Sequence, residues 1–537
     1  MKANAENAVN WKEKYKELEV SSAHKLAELE ASFSSATKEL ERRIAELEAL
    51  NKYYEEQFRL AKHRQFGQSS EKSEYGEQLG LFDEAENTAS LKKVEELETI
   101  SWERTKRTSK IKDDLSDAPL ETVELTLAEE EQICPVCGGA MHELSTEECC
   151  HVEIIPAKVL MKRHLRHVYA CRNCEKTGEQ ATIVRAPMPE PVIKGSLASP
   201  SAIAHIAVQK YVNAVPLYRQ EQEFLRQGLT LSRQTMANWL IKGSQDWLEP
   251  LYERMRQLLL SEDVLHGDES VLQVLKEPGK KAKTDSYMWL YRTGKYARHP
   301  IVLYEYQPTR SSSHPKRFLG GYKGYLHTDG YAGYHKLAPD VTVVGCWAHL
   351  RRKFDEALKA LPEKDRPNAA AMHGFALCNR LFALESEWTE LSPEQRLNKR
   401  QNEAKSLAEE FFFWARSVNA LPKSALGKAV HYAFEQQPWL MNVFLDGRLE
   451  LSNNRAERSI KPFVIGRKNW LFCNSQKGAR SSSVIYSMIE TAKENGLKPF
   501  EYLAYIFAKL PNSTTSAIDR CLPWSEDLPD YIKAGKI

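Results

Sequence analysis

Asp263-Val-Leu-His-Gly-Asp-Glu-Ser-Val-Leu-Gln-Val-Leu275 is a mostly apolar run interrupted by two adjacent acids. Its length and its Val/Leu content predict a β-strand, with Asp268 inside it and Glu269 beside it equally exposed. Strand signals continue downstream at Ser286–Thr293, Pro300–Tyr306, Gly324–Thr328 and Val341–Cys346, with a helix near His314–Gly320. Three strands in succession, then alternating helix and strand, predict a mixed α/β sheet.

That order suits a ribonuclease-H-like core, in which the first and fourth strands carry adjacent acids. The fourth strand lies in Tyr325-Leu-His-Thr-Asp-Gly-Tyr-Ala-Gly-Tyr334, where Gly330 and Gly333 end it just after Asp329. A third acid, Glu457, opens a basic helical stretch, Asn453-Asn-Arg-Ala-Glu-Arg-Ser-Ile-Lys-Pro462. Hard divalent cations take oxygen ligands. Asp268, Asp329 and Glu457 can therefore hold two Mg²⁺ (or Mn²⁺) ions, a pair that activates water and stabilises the leaving oxygen of a phosphodiester. Each acid has a plainer reading. Asp268 fits a strand-end acid, Asp-Gly is a common turn pair, and Asn454-Arg-Ala-Glu457 has capping-box spacing. The three occur in the right order, however, and the last sits among cations.

A chain of 537 residues is too long for one core. Its net charge of +2 says nothing about nucleic acid. The distribution of charge says more. From Leu451 to Arg480 there are seven cations (Arg455, Arg458, Lys461, Arg467, Lys468, Lys477 and Arg480) and one acid, Glu457. A metal-binding carboxylate among groups able to hold phosphates is what a nuclease site needs, and Arg455, Arg458 and Lys461 are assigned to the DNA backbone. No apolar run reaches the ~20 residues needed to cross a bilayer. Without a secretory signal, and with ten cysteines that do not look like a disulfide scaffold, a reducing cytoplasmic setting is expected.

Upstream, residues 10–75 read as a leucine-zipper-like coiled coil followed by a basic turn. Leu26, Phe33, Leu40, Leu47 and Tyr54 recur every seven residues, which favours a homo-oligomer, at least a dimer, over a lone helix packed on its own protein. Residues 76–125 read as a polar linker. Cys134-Pro-Val-Cys137 and Cys171-Arg-Asn-Cys174 supply four thiolates for a tetrahedral structural Zn²⁺ in a zinc-ribbon-like finger over 126–185. Between the pairs, Lys162-Arg-His-Leu-Arg-His167 alternates basic residues with spacers, as an exposed strand touching phosphates does. Residues 190–260 are helical and match a helix-turn-helix outline. Met236, Trp239 and Leu240 face inward there, while Arg233, Gln234 and Asn238 face out towards base edges. Two packed core helices fit the same pattern. The core spans 261–465, with a helical insertion at about 362–446. Its helix Trp347–Leu358 presents His349, Arg351 and Arg352 to DNA. Residues 466–537 read as helical.

Several stretches in order resemble the large transposase of the insertion-sequence-66 family across nearly the whole chain. They are Phe66-Gly-Gln-Ser-Ser-Glu-Lys72, the Cys134/Cys137/Cys171/Cys174 finger, His266-Gly-Asp-Glu-Ser270, Thr328–Tyr334, Gly345-Cys-Trp-Ala-His-Leu-Arg-Arg-Lys-Phe354, Asn453–Arg458, Ile485–Leu497 and Leu522-Pro-Trp524. The resemblance implies a DDE-type transposase with Asp268, Asp329 and Glu457 as the acidic triad. It also implies a ribonuclease-H-like fold, divalent metal, recognition of terminal inverted repeats on double-stranded DNA, and small accessory proteins of the same element. Ser270 stands where the family often has threonine, and Cys149 and Cys150 lie outside the family pattern. A catalytically inactive, zinc-dependent DNA-binding protein derived from a transposase is the alternative reading. An enzyme acting on DNA in a bacterial cell would work at the nucleoid.

Overall fold

The computed structural model describes residues 11–66, 159–170, 183–513 and 517–534. The finger cysteines Cys134, Cys137, Cys171 and Cys174, with Cys149 and Cys150 and the linker, lie outside the described residues. In chain order the elements begin with α1 (Trp11–Phe66) and the two-stranded hairpin β1 (Val168–Ala170) and β2 (Ile183–Arg185). Next come α2 (Pro200–Tyr211), α3 (Leu217–Arg226), α4 (Arg233–Gly243) and α5 (Glu249–Leu259). The sheet region has β3 (Val264–Lys276), β4 (Asp285–Thr293), β5 (Val302–Gln307), α6 (Ser313–Phe318), β6 (Gly324–His327) and β7 (Val341–Val344). Then follow α7 (Trp347–Lys359), α8 (Ala370–Glu387), α9 (Pro393–Lys399), α10 (Lys405–Ser417) and α11 (Ala425–Leu440). The chain closes with α12 (Asn454–Trp470), β8 (Cys473–Ser475), α13 (Gln476–Glu494) and α14 (Pro499–Lys509).

The chain divides into two compact units, Met1–Lys92 with Val343–Asn454 and Lys93–Thr342 with Arg455–Ile537, and the division falls within β7. The second unit holds the mixed sheet. Its strands run in the order β5-β4-β3-β6-β7, with β8 paired to the far end of β3. β3, β4 and β5 are antiparallel neighbours, whereas β6 runs parallel to β3. Strand β5 is an outer strand, whose free backbone groups would invite pairing with another chain. Helix α13 answers them with hydroxyls at four-residue spacing. The Tyr304 amide donates to Ser487 Oγ (2.8 Å), and the Val302 amide donates to Thr491 Oγ1 (3.0 Å), which itself donates to the Val302 carbonyl (2.9 Å). Four residues is about one helical turn, so these hydroxyls share one face.

Within the same unit, Gly228 takes a left-handed turn (φ +80°) between α3 and α4. Ser232 caps α4 by accepting from the Thr235 amide (3.1 Å). Met236 and Leu240 enter the core beside Phe224, while Trp239 is half-buried. The inward face expected for this segment is therefore present.

The first unit is helical. Trp347 and Phe354 of α7 pack against Phe411 and Phe412 of α10, with ring centroids 5.6–5.9 Å apart. Buried Arg400 ties Glu385 to the carbonyls of Val443 (3.2 Å), Asp446 (2.9 Å) and Leu449 (2.7 Å), a use that matches guanidinium's five donors. Helix α1 is a single helix of 56 residues whose heptad side chains Leu26, Phe33, Leu40, Leu47 and Tyr54 are all exposed. Only its C-terminal part packs on the unit. Glu56 accepts from the Ala425 amide at the start of α11 (3.0 Å), where a carboxylate suits the helix dipole, and Arg59 donates to the Ala360 carbonyl (3.2 Å). Among the described residues, no helix is long and apolar enough to cross a membrane.

Candidate active site

Parallel pairing of β3 with β6 brings Leu265 opposite Leu326 and His266 opposite His327. Two residues beyond that pair, the chains carry Asp268 and Asp329. The common register thus sets these two acids side by side past the end of the shorter strand. Below them the rings of His266 and His327 stack, with centroids 4.4 Å apart and planes 13° from parallel, and both are buried.

Glu457 arrives on α12, which lies along the face of β3 that bears Asp268. Strand alternation puts His266, Asp268 and Ser270 on one face. The Arg467 guanidinium donates to Ser270 Oγ (3.1 Å) and to the Val271 carbonyl. Arg292, the cross-strand partner of His266, is buried and reaches up to α12. It donates to Ser459 Oγ, to the Arg455 carbonyl (3.3 Å) and to both oxygens of Glu494 (3.0 Å each). The Tyr304 hydroxyl donates to the Ser459 carbonyl, and buried Phe463 packs below. Helix α12 is thereby held at two points along its length.

The electrostatics report the result. Burial pushes the Asp268 carboxyl well above the usual carboxylate range, and the negative charges of Asp329, Glu269 and Glu457 push it further. The amide of Glu269, donating to Asp268 Oδ1 (2.8 Å), works in the opposite direction. Asp329 and Glu457 thus lie within electrostatic reach of Asp268. Asp268, with the charges of Asp329 and Glu457 acting on it, belongs to a hard-oxygen donor set from which a divalent cation would remove the repulsion, so these residues fit Mg²⁺ or Mn²⁺.

Other expectations are corrected. Neither Asp268 nor Glu269 is exposed: both are half-buried, and the Glu269 side chain, 2% exposed, is paired with Arg310. Arg351 does not face solvent. It is buried, donates to Asn379 Oδ1 (2.6 Å) on α8 and lies 4.4 Å over the Phe375 ring, so it is committed to holding two helices together. His349 and Arg352 are half-buried on the same helix, and all three belong to the first unit. Arg455, Arg458 and Lys461 are half-exposed on α12, in the unit that holds the acids. Arg233, Gln234 and Asn238 are exposed on α4, as expected from their spacing. Residues 159–167 are exposed but form no strand; the strand β1 begins at Val168.

The family model described as Transposase IS66 family matches residues 195–481, more than half of the chain. The chain belongs to the IS66 transposase family. Further family models match the IS66 C-terminal element at 487–524, the zinc-finger binding domain of transposase IS66 at 131–175, and a segment described as Transposase C of IS166 homeodomain at 53–125. The last covers the end of α1 and the stretch read as a linker. Similar curated proteins include two from Sinorhizobium fredii. The uncharacterized protein y4jD is 31% identical over 74% of this chain and 78% of its own length. The uncharacterized protein y4qI is 29% identical over 76% of each. Among solved structures, the Drosophila P element transposase strand transfer complex matches at 13% identity and a TM-score of 0.30, over 59% of this chain and 94% of that one. A likeness at that level carries no argument about this chain.

Residues that the sequence reading missed are Arg292, Ser459 and Arg467, which seat α12, and Arg310, Tyr331 and Tyr334 around Glu269. The tyrosines gave a signal by flanking the glycines of Thr328–Tyr334, and Arg467 gave one as a member of the basic stretch Leu451–Arg480.

Proposed function

We propose that this IS66-family transposase binds double-stranded DNA at the terminal inverted repeats of its element and cuts and joins strands there with Asp268, Asp329 and Glu457 as metal ligands. The observation that supports this reading is that the charges of Asp329 and Glu457 both act on Asp268, beside the parallel β3–β6 register that carries the two aspartates. The sheet order β5-β4-β3-β6-β7, first strand central and fourth beside it, supports a ribonuclease-H-like core. A divalent metal bound there would activate water and neutralise the leaving oxygen of the phosphodiester.

The protein's own residues supply position and charge, since phosphoryl transfer asks for little covalent chemistry. Asp268 and Asp329 are fixed by strand register, and Glu457 by the anchors on α12. Arg455, Arg458 and Lys461 hold the scissile backbone. Water attacks the phosphodiester at the element's end and frees a 3′-hydroxyl, which then attacks a target phosphodiester and displaces the target strand's own 3′-oxygen. Cys134, Cys137, Cys171 and Cys174 would hold a structural Zn²⁺, and Arg233, Gln234 and Asn238 read base edges. The exposed apolar stripe of α1 pairs with a second copy, so that two ends are held together; accessory proteins of the element complete the assembly.

End cleavage measured on labelled terminal-repeat DNA tests the reading. Asp268→Ala, Asp329→Ala and Glu457→Ala each lose cleavage and keep end binding. Full cleavage and strand transfer by Asp329→Ala contradict it. Metal-independent end binding with no cleavage by the intact chain would favour the inactive DNA-binding alternative.

A further inference from the structure

Both oxygens of Glu269 are engaged inside the protein. Oε1 accepts from Arg310 Nε (2.9 Å) and Nη2, and Oε2 accepts from the Tyr334 hydroxyl (2.9 Å). Alternation along β3 sends Glu269 to the face opposite Asp268. It is therefore poorly placed, and already too well satisfied, to serve as a fourth ligand.

Its partners lead back to Asp329. The guanidinium of Arg310 lies 4.0 Å over the Tyr331 ring, and the Tyr331 hydroxyl donates to the Arg310 carbonyl. The Tyr331 amide donates to Asp329 Oδ1 (3.1 Å). Tyr334 is fully buried, edge-on to Trp289 (5.7 Å) and to Tyr331 (5.9 Å). Two glycines make this path. Gly330 takes φ +93°, which lets the chain reverse straight after Asp329, and a Cβ on Gly333 would run into the Tyr331 ring. The turn that carries Asp329 is thus tied to Glu269 through both tyrosines and one arginine.

We propose that Glu269, Arg310, Tyr331 and Tyr334 form a latch that fixes the carboxylate of Asp329 for metal binding, with Glu269 as its anchor. The latch rests on the reading of Asp268, Asp329 and Glu457 as the metal site. Arg310 offsets the charge of Glu269 in part, so the anchor ties down the Asp329 turn through a paired carboxylate rather than a bare one. Glu269 and Arg310 are positioning residues: they act on metal through Asp329.

The test is Mn²⁺ binding to the full-length protein, read from the electron paramagnetic resonance of free Mn²⁺, alongside end cleavage titrated with Mn²⁺. The site followed is the one that Asp329→Ala removes. Arg310→Ala and Glu269→Gln weaken that site about tenfold to a hundredfold, the usual effect of losing a group that orients a ligand. Their cleavage recovers at saturating Mn²⁺, and Arg310→Lys, which keeps the charge but not the flat stacked fork, falls between. A merely structural role would lower the melting temperature and leave the metal curve where it was. Wild-type Mn²⁺ affinity in folded Arg310→Ala overturns the latch, and that variant decides the matter if Glu269→Gln does not fold. If Asp329→Ala itself leaves Mn²⁺ binding unchanged, the metal-site reading fails and takes the latch with it.

Discussion

On one side of β3, His266, Asp268 and Ser270 lie beneath α12; on the other, Gly267 and Glu269 lie against Tyr334, whose hydroxyl would be 3.4 Å from a Cβ on Gly267. The two acids are sequence neighbours of the same chemical type, yet their surroundings are opposite. Glu269 has a cation and a phenol hydroxyl, and its two oxygens are satisfied by the fold itself. Asp268 has one backbone amide, with further acids around it. Burial and the charge of Asp329 push both carboxyls up; at Glu269 the Arg310 guanidinium and the Tyr334 hydroxyl work against that, whereas at Asp268 only a backbone amide does. A carboxylate pushed up by burial and by other carboxylates is where an added cation has most to offer.

The sharpest way to break this contrast is to remove each acid in turn. Asp268→Ala, Asp329→Ala or Glu457→Ala lowers end cleavage by about a thousandfold or more, as expected for groups that act as a unit. Glu269→Gln recovers cleavage at saturating Mn²⁺. Equal and irrecoverable losses at all four positions would erase the distinction between ligands and anchor.

Support for the two faces should differ in kind as well. Arg292→Met leaves Ser459 and half-exposed Glu494 without their buried partner and destabilises the protein by about 1–3 kcal/mol, read as a shift in the urea midpoint. Glu269→Ala leaves the Tyr334 hydroxyl buried without its acceptor and destabilises by about 1–3 kcal/mol. Asp268→Asn goes the other way. The folded Asp268 carboxyl titrates above its ordinary value, so protonation favours the fold; that stabilisation is complete below the ordinary carboxylate range and is lost as pH rises through the raised value. The amide stays neutral, so with Mg²⁺ omitted Asp268→Asn melts higher than wild type at pH 8. No rise would contradict the upward shift of Asp268 by burial and by the neighbouring acids.

The smallest effect concerns a half-buried acid away from the site. Burial pushes Glu305 on β5 up to about 7. Its contribution is complete below the ordinary glutamate value of 4.5 and is lost as pH rises through about 7. Melting curves at pH 6 and pH 8 should differ less in Glu305→Gln than in wild type; an unchanged difference would contradict the assignment.

The sheet was legible because β-branched and aromatic runs end at turn residues, and the five strands expected from 264 to 346 form within a few residues of their expected bounds. β8 was not: three residues, Cys473–Ser475, are too few to show a period. The order of the acids was legible too, but the role of Glu269 was not. Its partner Arg310 lies 41 positions away on an irregular segment, and nothing in the strand announces it. Arg351 misled for a related reason. A run of cations on a helix looks like a surface, until an acceptor such as Asn379 and a ring such as Phe375 arrive from the next helix. For α1 the heptads predicted a long helix, and its apolar positions stand exposed. Whether they pair with a second copy depends on a partner chain, which one sequence does not contain.

The most direct test of the central claim is iron-mediated self-cleavage: Fe²⁺ is substituted at the divalent site, ascorbate and peroxide generate local radicals, and the backbone cuts are mapped by mass spectrometry. Convergence of the three acids on shared ions predicts cuts clustered beside Asp268, Asp329 and Glu457 together, suppressed by excess Mg²⁺. Cuts beside the first two with none around residue 457 would contradict it.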